Sequence, residues 1–413
     1  MTDQETKISI EKVYKIFGPD PHSVFDRVKN GATKSEILEE TGHTIGIRDV
    51  SLQVKSGEIF VVMGLSGSGK STLIRHINRL IEPTAGQILV DGRDVLQLNA
   101  KELRHLRRFK MSMVFQRFAL LPHKTVIENV MSGLQIRDET RQGLIPHRTV
   151  LDNIAQILRV QGVPKTEAYN RAMAQIEIVG LGGFENQYPS ELSGGMQQRV
   201  GLARALVTDA EVLLMDEPFS ALDPLIRNDM QEQLIQIQGK VNRTIVFITH
   251  DLDEALRIGD HIAILKDGEL RQVGTSESIL LNPADDYVRR FVMDVNRSRV
   301  VTMGSVAREA ATLIETSADI AAINNILDSS SDGVAILIDD NGRPTGVATA
   351  ETLRGNGPGY VAATTVSVDS VIEDALALAK KTSSPFCVVD ANGLLVGTAS
   401  QRTILEAIAR PEE

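Results

Sequence analysis

The chain runs to 413 residues with a formal net charge of −10; 42% of its residues are hydrophobic and 24% charged. That length allows two or three domains with cores of their own, and the balance is that of a globular protein. The acidic excess argues against nucleic acid as a main partner, because phosphate binding shows as surplus Lys and Arg.

No apolar run reaches the roughly eighteen residues that cross a bilayer, and "MTDQETKISIEK" at the start lacks the apolar core of a signal peptide. A single cysteine, Cys387 in "PFCVVD", excludes an internal disulfide and reads as part of a buried strand, which suits the cytoplasm. In chain order, the first distinct piece is residues 19–46, whose pattern predicts two short helices broken at Asn30-Gly31. Residues 47–293 then alternate short β-branched runs with helical patterns, as a mostly parallel sheet flanked by helices does. The strand candidates are "IFVVMG" (59–64), "MSMVFQ" (111–116), "VLLMDE" (212–217), "TIVFITH" (244–250) and "HIAILKDG" (261–268).

Directly after the first of these, "GLSGSGKST" (64–72) fits G-x-x-x-x-G-K-[ST] and opens the helical pattern "TLIRHINRLI". Gly64, Gly67 and Gly69, with Ser66 and Ser68 between them, let backbone N–H groups wrap nucleotide phosphates, and the helix N-terminus adds its positive end. Lys70 is placed to reach the β- and γ-phosphates, and the Ser71 hydroxyl, followed by Thr72, to ligate Mg²⁺. The basic run "RHLRRFK" (104–110) reads as a solvated helix face. Beyond it, "LLPHKTVIENV" (120–130) returns as "LIPHRTVLDNI" (144–154), with Leu, Pro, His, Thr, Val and Asn in step, so residues 120–155 carry a duplicated segment.

The run "VLLMDEP" (212–218) is an apolar strand ending in two carboxylates. Asp216 suits the Mg²⁺ shell, and Glu217, one residue on, is placed to polarise an attacking water. Alone, such an end reads as a solvated acidic turn; beside a P-loop it points to bound ATP. After "NPADDYVRRF" (282–291) the segments shorten, and "DDNGRPTGVATAETL" (339–353) matches "DANGLLVGTASQRTI" (390–404). Asn-Gly predicts hairpins with φ > 0 at both central positions, and each half reads as a helix, a hairpin and a helix. Repeats this short stack to bury a shared core.

The run "ELSGGMQQRVGLARAL" (191–206) resembles the signature of ABC-transporter ATPases, with Gln116, "SALD" (220–223) and His250 in the family's order around it. The resemblance implies a head-to-tail homodimer with ATP between one subunit's P-loop and the other's Ser193, Gly194 and Gly195, since neither half alone surrounds the transition-state charge. It also implies that His250 contacts the γ-phosphate and Glu217, that Gln116 senses Mg²⁺ and the water, and that Asp223 joins the two sites. The adenine-stacking aromatic is Phe17, with Tyr14 as a rival. Met196 departs from the family's usual Gln, which is tolerable because the serine and glycines bind the phosphate.

The extension at 19–46, "GIRDVSL", "FSALDPLIR", "HDLDEALRIGD" and the C-terminal repeats resemble the ATPase subunits of glycine betaine/proline-type osmoprotectant importers, whose chains end in tandem CBS domains. The fold implied is an α/β P-loop ABC ATPase domain over residues 1–293, with a helical subdomain, then an α+β CBS pair at 297–355 and 356–413. The implied role is ATP hydrolysis that powers import through integral membrane permease subunits, and indirectly a substrate-binding protein, from the cytoplasmic face of the inner membrane. Alternatives are import of choline, carnitine or another amine, a soluble ABC ATPase, or a nucleotide-sensing regulator. Residues 297–413 hold nine Lys/Arg against fifteen Asp/Glu, a net of −6, so no polybasic membrane patch stands out. Of the duplicated copies, the first keeps its spacing from Gln116 and the second its spacing to "LSGGM". The first is expected to line the permease groove, and the second to enlarge that contact or loop out, so Val126→Asp should harm assembly more than Val150→Asp.

Overall fold

The computed structural model describes residues 5–114, 148–220, 222–314, 319–330, 333–354, 359–379, 382 and 384–409. The chain forms two compact units, Met1–Thr275 and Ser276–Glu413. Strands of the first unit are β1 (Thr6–Phe17), β2 (Thr44–Lys55), β3 (Ile59–Met63), β4 (Ala85–Val90), β5 (Arg93–Asp94), β6 (Met111–Val114), β7 (Val212–Asp216), β8 (Thr244–Thr249), β9 (His261–Lys266) and β10 (Glu269–Gly274). They make an antiparallel sheet in the order β2-β1-β4-β5 and a six-stranded sheet in the order β10-β9-β3-β8-β7-β6. All five strand candidates fall in the second sheet, where β3, β7 and β8 are buried at every position. A strand paired on both sides and covered on both faces has no solvent face to make polar, so it reads as one apolar run. The antiparallel sheet was not anticipated. Ile8, Ile10, Val13, Val50, Val54 and Ile88 from it join Val62, Leu214, Val246 and Ile248 of the main sheet, with Leu73 and Ile77, in one core.

The link from β1 to β2 holds the two expected short helices, Phe25–Lys29 and Lys34–Thr41. Gly31 sits between them at φ +98°, and Thr33 and Glu36 form a capping box at the second. Val24, Val28 and Ile37 bury themselves against Tyr14, Ile16 and Ile45.

Helices Val150–Val160, Lys165–Ile178 and Gly194–Leu206 pack together as a helical arm. The described part of the second copy, residues 148–154, starts this arm and does not loop out. Thr149 Oγ1 accepts from the Asp152 N–H at 3.2 Å, Asn153 Nδ2 donates to the Arg148 and Thr149 carbonyls at 3.0 Å each, and Val150 and Ile154 are fully buried. Of the residues that recur, Thr149, Val150 and Asn153 are therefore a cap, a core contact and a turn lock, which together specify a helix start. The first copy, with Val126, lies outside the described residues, as does Gln116.

In the second unit, β11 (Ala311–Ile314), β12 (Val334–Ile338), β13 (Pro344–Thr349) and β14 (Val361–Ala362) form one sheet. Strands β15 (Thr365–Ser367), β16 (Phe386–Val389) and β17 (Leu395–Ala399) form another. Each module is a strand, a helix (Ile320–Ser329 or Ile372–Ala379), a hairpin and a second helix (Ala350–Arg354 or Gln401–Ile408). The leading strand, parallel to the hairpin, was missed. The hairpin turns also differ from expectation: Gly342 and Gly393 have φ +80° and +79°, but neither Asn has positive φ. Instead Asp339 Oδ1 accepts from the N–H groups of Asn341 and Arg343, and Asp390 Oδ1 from those of Asn392 and Leu394, within 2.9 Å. An aspartate that caps its own turn removes the need for the second left-handed residue.

Candidate active site

The P-loop leaves the C-terminal end of β3 and enters helix Lys70–Ile77, so its N–H groups and the helix terminus face one spot. Its shape is imposed from outside. Gly69 has φ +101°, and a Cβ there would stand 2.6 Å from the Gly46 carbonyl and 2.7 Å from Ile47 Cδ1. The Gly268 N–H donates to the Ser68 carbonyl at 3.0 Å, and the Arg48 N–H to the Gly268 carbonyl at 2.8 Å, so strand β2 and the β9–β10 turn brace the loop. Ser66 and Gly67 are exposed, whereas the buried Ser68 hydroxyl has no hydrogen-bond partner among the described residues. Thr72 is half-buried one position past Ser71. Lys70 Nζ folds onto the Gly64 and Leu65 carbonyls at 2.7 and 3.0 Å. Burial lowers the pKa of this ammonium, against the pull of Glu217 and Asp216.

Strand β7 delivers both carboxylates. Asp216 is fully buried, with Ser71 Oγ on Oδ1 at 2.8 Å and Arg75 Nη2 on Oδ2 at 3.2 Å. Burial raises its pKa, and those two donors oppose the rise. A serine hydroxyl and a carboxylate side by side are the hard oxygen donors Mg²⁺ takes, and no cluster of three His, Cys, Asp or Glu competes among the described residues. Ser71 and Asp216 fit the ion, and what it supplies when bound is charge neutralisation at the phosphates.

Glu217, next along, has φ +48°, a left-handed conformation that strains a glutamate. Its carbonyl accepts from Gln198 Nε2 at 3.3 Å and Ser220 Oγ at 3.0 Å, while its N–H donates to the Ile248 carbonyl at 3.1 Å. The turn aims the side chain at His250, whose Nδ1 lies 3.3 Å from Glu217 Oε2. The structure thus gathers Lys70, Ser71, Asp216, Glu217 and His250 at the ends of β3, β7 and β8.

The other candidates are placed apart from this group. Ser193 caps helix Gly194–Leu206 by accepting from the Met196 N–H at 3.3 Å, with Gly194 exposed and Gly195 half-buried in its first turn. Asp223 caps helix Pro224–Val241 in the same way, through the Ile226 N–H at 3.1 Å. Neither Ser193 nor Asp223 bonds to the P-loop residues among those described. Tyr14 and Phe17 separate cleanly: Tyr14 is core, edge-on to Phe25 at 5.2 Å, whereas Phe17 is 39% exposed. Phe17 lies over Gly46, where a Cβ would meet its ring at 2.6 Å, and Gly46 in turn touches Gly69 of the P-loop. Sequence reasoning missed Arg75 and Gln198. Arg75 could have been found, since it lies four residues after Ser71 on one helix face; Gln198 meets Glu217 only through the fold.

The ABC transporter family profile matches residues 47–220. The chain is 51% identical over 311 residues to the glycine betaine transport ATP-binding protein OpuAA of Bacillus subtilis, covering 75% of this chain and 69% of that protein. It is 50% identical over 302 residues to the glycine betaine/proline betaine transport system ATP-binding protein ProV of Escherichia coli, covering 73% and 70%. Among solved structures, the dimeric post-hydrolysis state of the ATP-binding cassette MJ0796 bound to ADP and Pi matches with a TM-score of 0.52 at 28% identity, over 65% of this chain and 98% of that one. No helix among the described residues is long and apolar enough to cross a membrane. With a P-loop, a paired Asp-Glu strand end and relatives about half identical over some three quarters of its length, the chain belongs to the ABC transporter family as an ATP-binding subunit.

Proposed function

We propose that the chain hydrolyses ATP, as a homodimer on the cytoplasmic face of the inner membrane, to power uptake of an osmoprotectant such as glycine betaine or proline betaine through separate permease subunits. The observation that carries the hydrolytic part is Glu217, held at φ +48° with His250 at 3.3 Å and the Ser71–Asp216 pair beside it. Glu217 accepts the proton of the attacking water, and His250 orients it and meets the γ-phosphate. Lys70 moves from the Gly64 and Leu65 carbonyls to the β- and γ-phosphates, the P-loop N–H groups and Ser68 hold the phosphates, and adenine stacks on Phe17. Ser193, Gly194, Gly195 and Asp223 complete the site from the second copy, and Gln116 joins it to Mg²⁺ and the permease. The names of the relatives support the solute class. Residues 1–293 are read as the ATPase domain and 297–355 and 356–413 as CBS modules that regulate it; a salt titration of reconstituted transport with and without residues 297–413 tests that role.

Glu217→Gln keeps shape and removes the proton-accepting charge, so it should bind ATP with wild-type affinity, stop turnover and trap the dimer. Hydrolysis at the wild-type rate in this variant refutes the assignment.

A further inference from the structure

Two of the proposed functional residues, Asp223 and His250, sit on loops that enter different helices, and one side chain touches both loops. Arg227 lies one turn into helix Pro224–Val241. Its Nη2 donates to the carbonyl of Leu222, the residue before Asp223, at 3.3 Å. Its Nη1 donates to Oδ2 of Asp251, the residue after His250, at 3.2 Å. Asp251 is itself fixed: its Oδ1 caps helix Leu252–Ile258 through the Glu254 N–H at 3.2 Å, and its N–H donates to Thr249 Oγ1 at 2.9 Å. A second bridge lies behind the first, with Gln231 Nε2 on the buried Glu254 carboxylate at 2.9 Å and Arg257 Nη1 on Gln231 Oε1 at 3.2 Å.

We propose that Arg227 is a positioning residue for hydrolysis, its planar fork locking the backbone carbonyl beside Asp223 to the Asp251 carboxylate beside His250. A guanidinium presents several N–H donors in fixed directions and can serve a carbonyl and a carboxylate at once, which a single ammonium on a flexible stem does not reproduce. Movement of the loop that carries Asp223, where a second copy is proposed to engage, is then transmitted to the strand end that sets the 3.3 Å spacing of His250 and Glu217. Arg227 bonds to Leu222 and Asp251, so it acts on Asp223 and His250 through their neighbours. The inference rests on the roles proposed above for Glu217 and His250.

The test compares Arg227→Gln, Arg227→Lys, Asp251→Asn, the double variant Arg227→Gln/Asp251→Asn and Glu217→Gln in the full-length subunit. Asparagine is as good a helix cap as aspartate, so Asp251→Asn removes the ion pair and spares the helix start. Misplacing a catalytic group costs between about ten- and a hundredfold in rate, and that loss is expected in kcat for the three single bridge variants, with lysine failing to rescue. ATP affinity and KM should stay within about twofold of wild type, and the double variant should be no slower than either single one, because the two residues act as a unit. Wild-type kcat in Arg227→Gln, additive losses in the double variant, or a parallel loss of ATP affinity would each overturn the proposal. Glu217→Gln separates the two readings: if it turns over normally the site assignment fails, and if it is dead while Arg227→Gln is fully active only the bridge fails.

Discussion

Glu217 carries a cost at a single backbone torsion. A left-handed glutamate is disfavoured by about 1–3 kcal/mol, and glycine is free of that penalty. Glu217→Gly should therefore raise the unfolding free energy by something on the order of 1 kcal/mol, read as a higher urea midpoint, while abolishing hydrolysis. An unchanged or lowered midpoint would mean the torsion is not strained. The aromatic pair gives a second prediction at this scale. Phe17→Ala removes an exposed ring beside the P-loop and should weaken ATP binding by roughly three- to tenfold, the range of an aromatic contact. Tyr14→Phe, in the core, should leave ATP affinity unchanged in the same fluorescence titration. Lys70, Ser71, Asp216 and Glu217 were legible in the sequence because each sits at a fixed offset from an apolar strand, whereas His250 was reached through the family resemblance. The choice between Tyr14 and Phe17 was hidden only while the segment "VYKIF" was not read as a strand, since residues three apart in a strand face opposite ways. Arg227 and Gln198 could not be read at all, for their partners are 24 and 19 residues away and meet them only after folding.

Elements buried on both faces announced themselves, and those with one wet face did not. Strands β3, β7, β8 and β9 appear as unbroken apolar runs, whereas β1 mixes Lys and Glu with its buried Ile and Val and passed unread. The helix starting at Val150 was ambiguous for another reason: its signal was seen twice, and repetition left open whether the second copy enlarges a contact or loops out, where Val150 and Ile154 supply core. Val150→Asp places a carboxylate among Ile154, Leu158 and the neighbouring helices at a fully buried position. An unpaired buried charge costs several kcal/mol, so this variant should unfold the helical arm, read as new protease cleavage around residues 150–178, before any question of assembly arises. Gly69→Ala tests the P-loop as an element. Its Cβ has no room against the Gly46 carbonyl and its torsion favours glycine, so ATP binding should be lost while the protein stays folded.

At the scale of the whole molecule, acid sensitivity has an identifiable source. His76 is fully buried on the P-loop helix, with Nδ1 2.7 Å from the Ile81 carbonyl and Nε2 without a partner among the described residues, and burial lowers its pKa to about 4. The folded state keeps it neutral, so the unfolded chain binds the extra proton between pH about 6.5 and 4. The stability it contributes is complete above pH 6.5 and falls by about 3 kcal/mol as the pH drops toward 4. His76→Gln, which does not titrate, should flatten that part of a urea-midpoint profile; an unchanged slope would place the proton elsewhere. The bracing of the P-loop has a further consequence for synthesis. The loop is complete in sequence by Thr72, yet the turn that shapes it is at Gly268, and both neighbours of β3 in its sheet come from residues 244–266. A growing chain on the ribosome therefore has the Gly46–Ile47 side of the brace in advance of the loop, but waits almost two hundred residues for the side at Gly268. ATP binding is therefore expected only once the chain has passed Gly268, and a product ending before residue 244 should fail to retain ATP in a filter-binding assay.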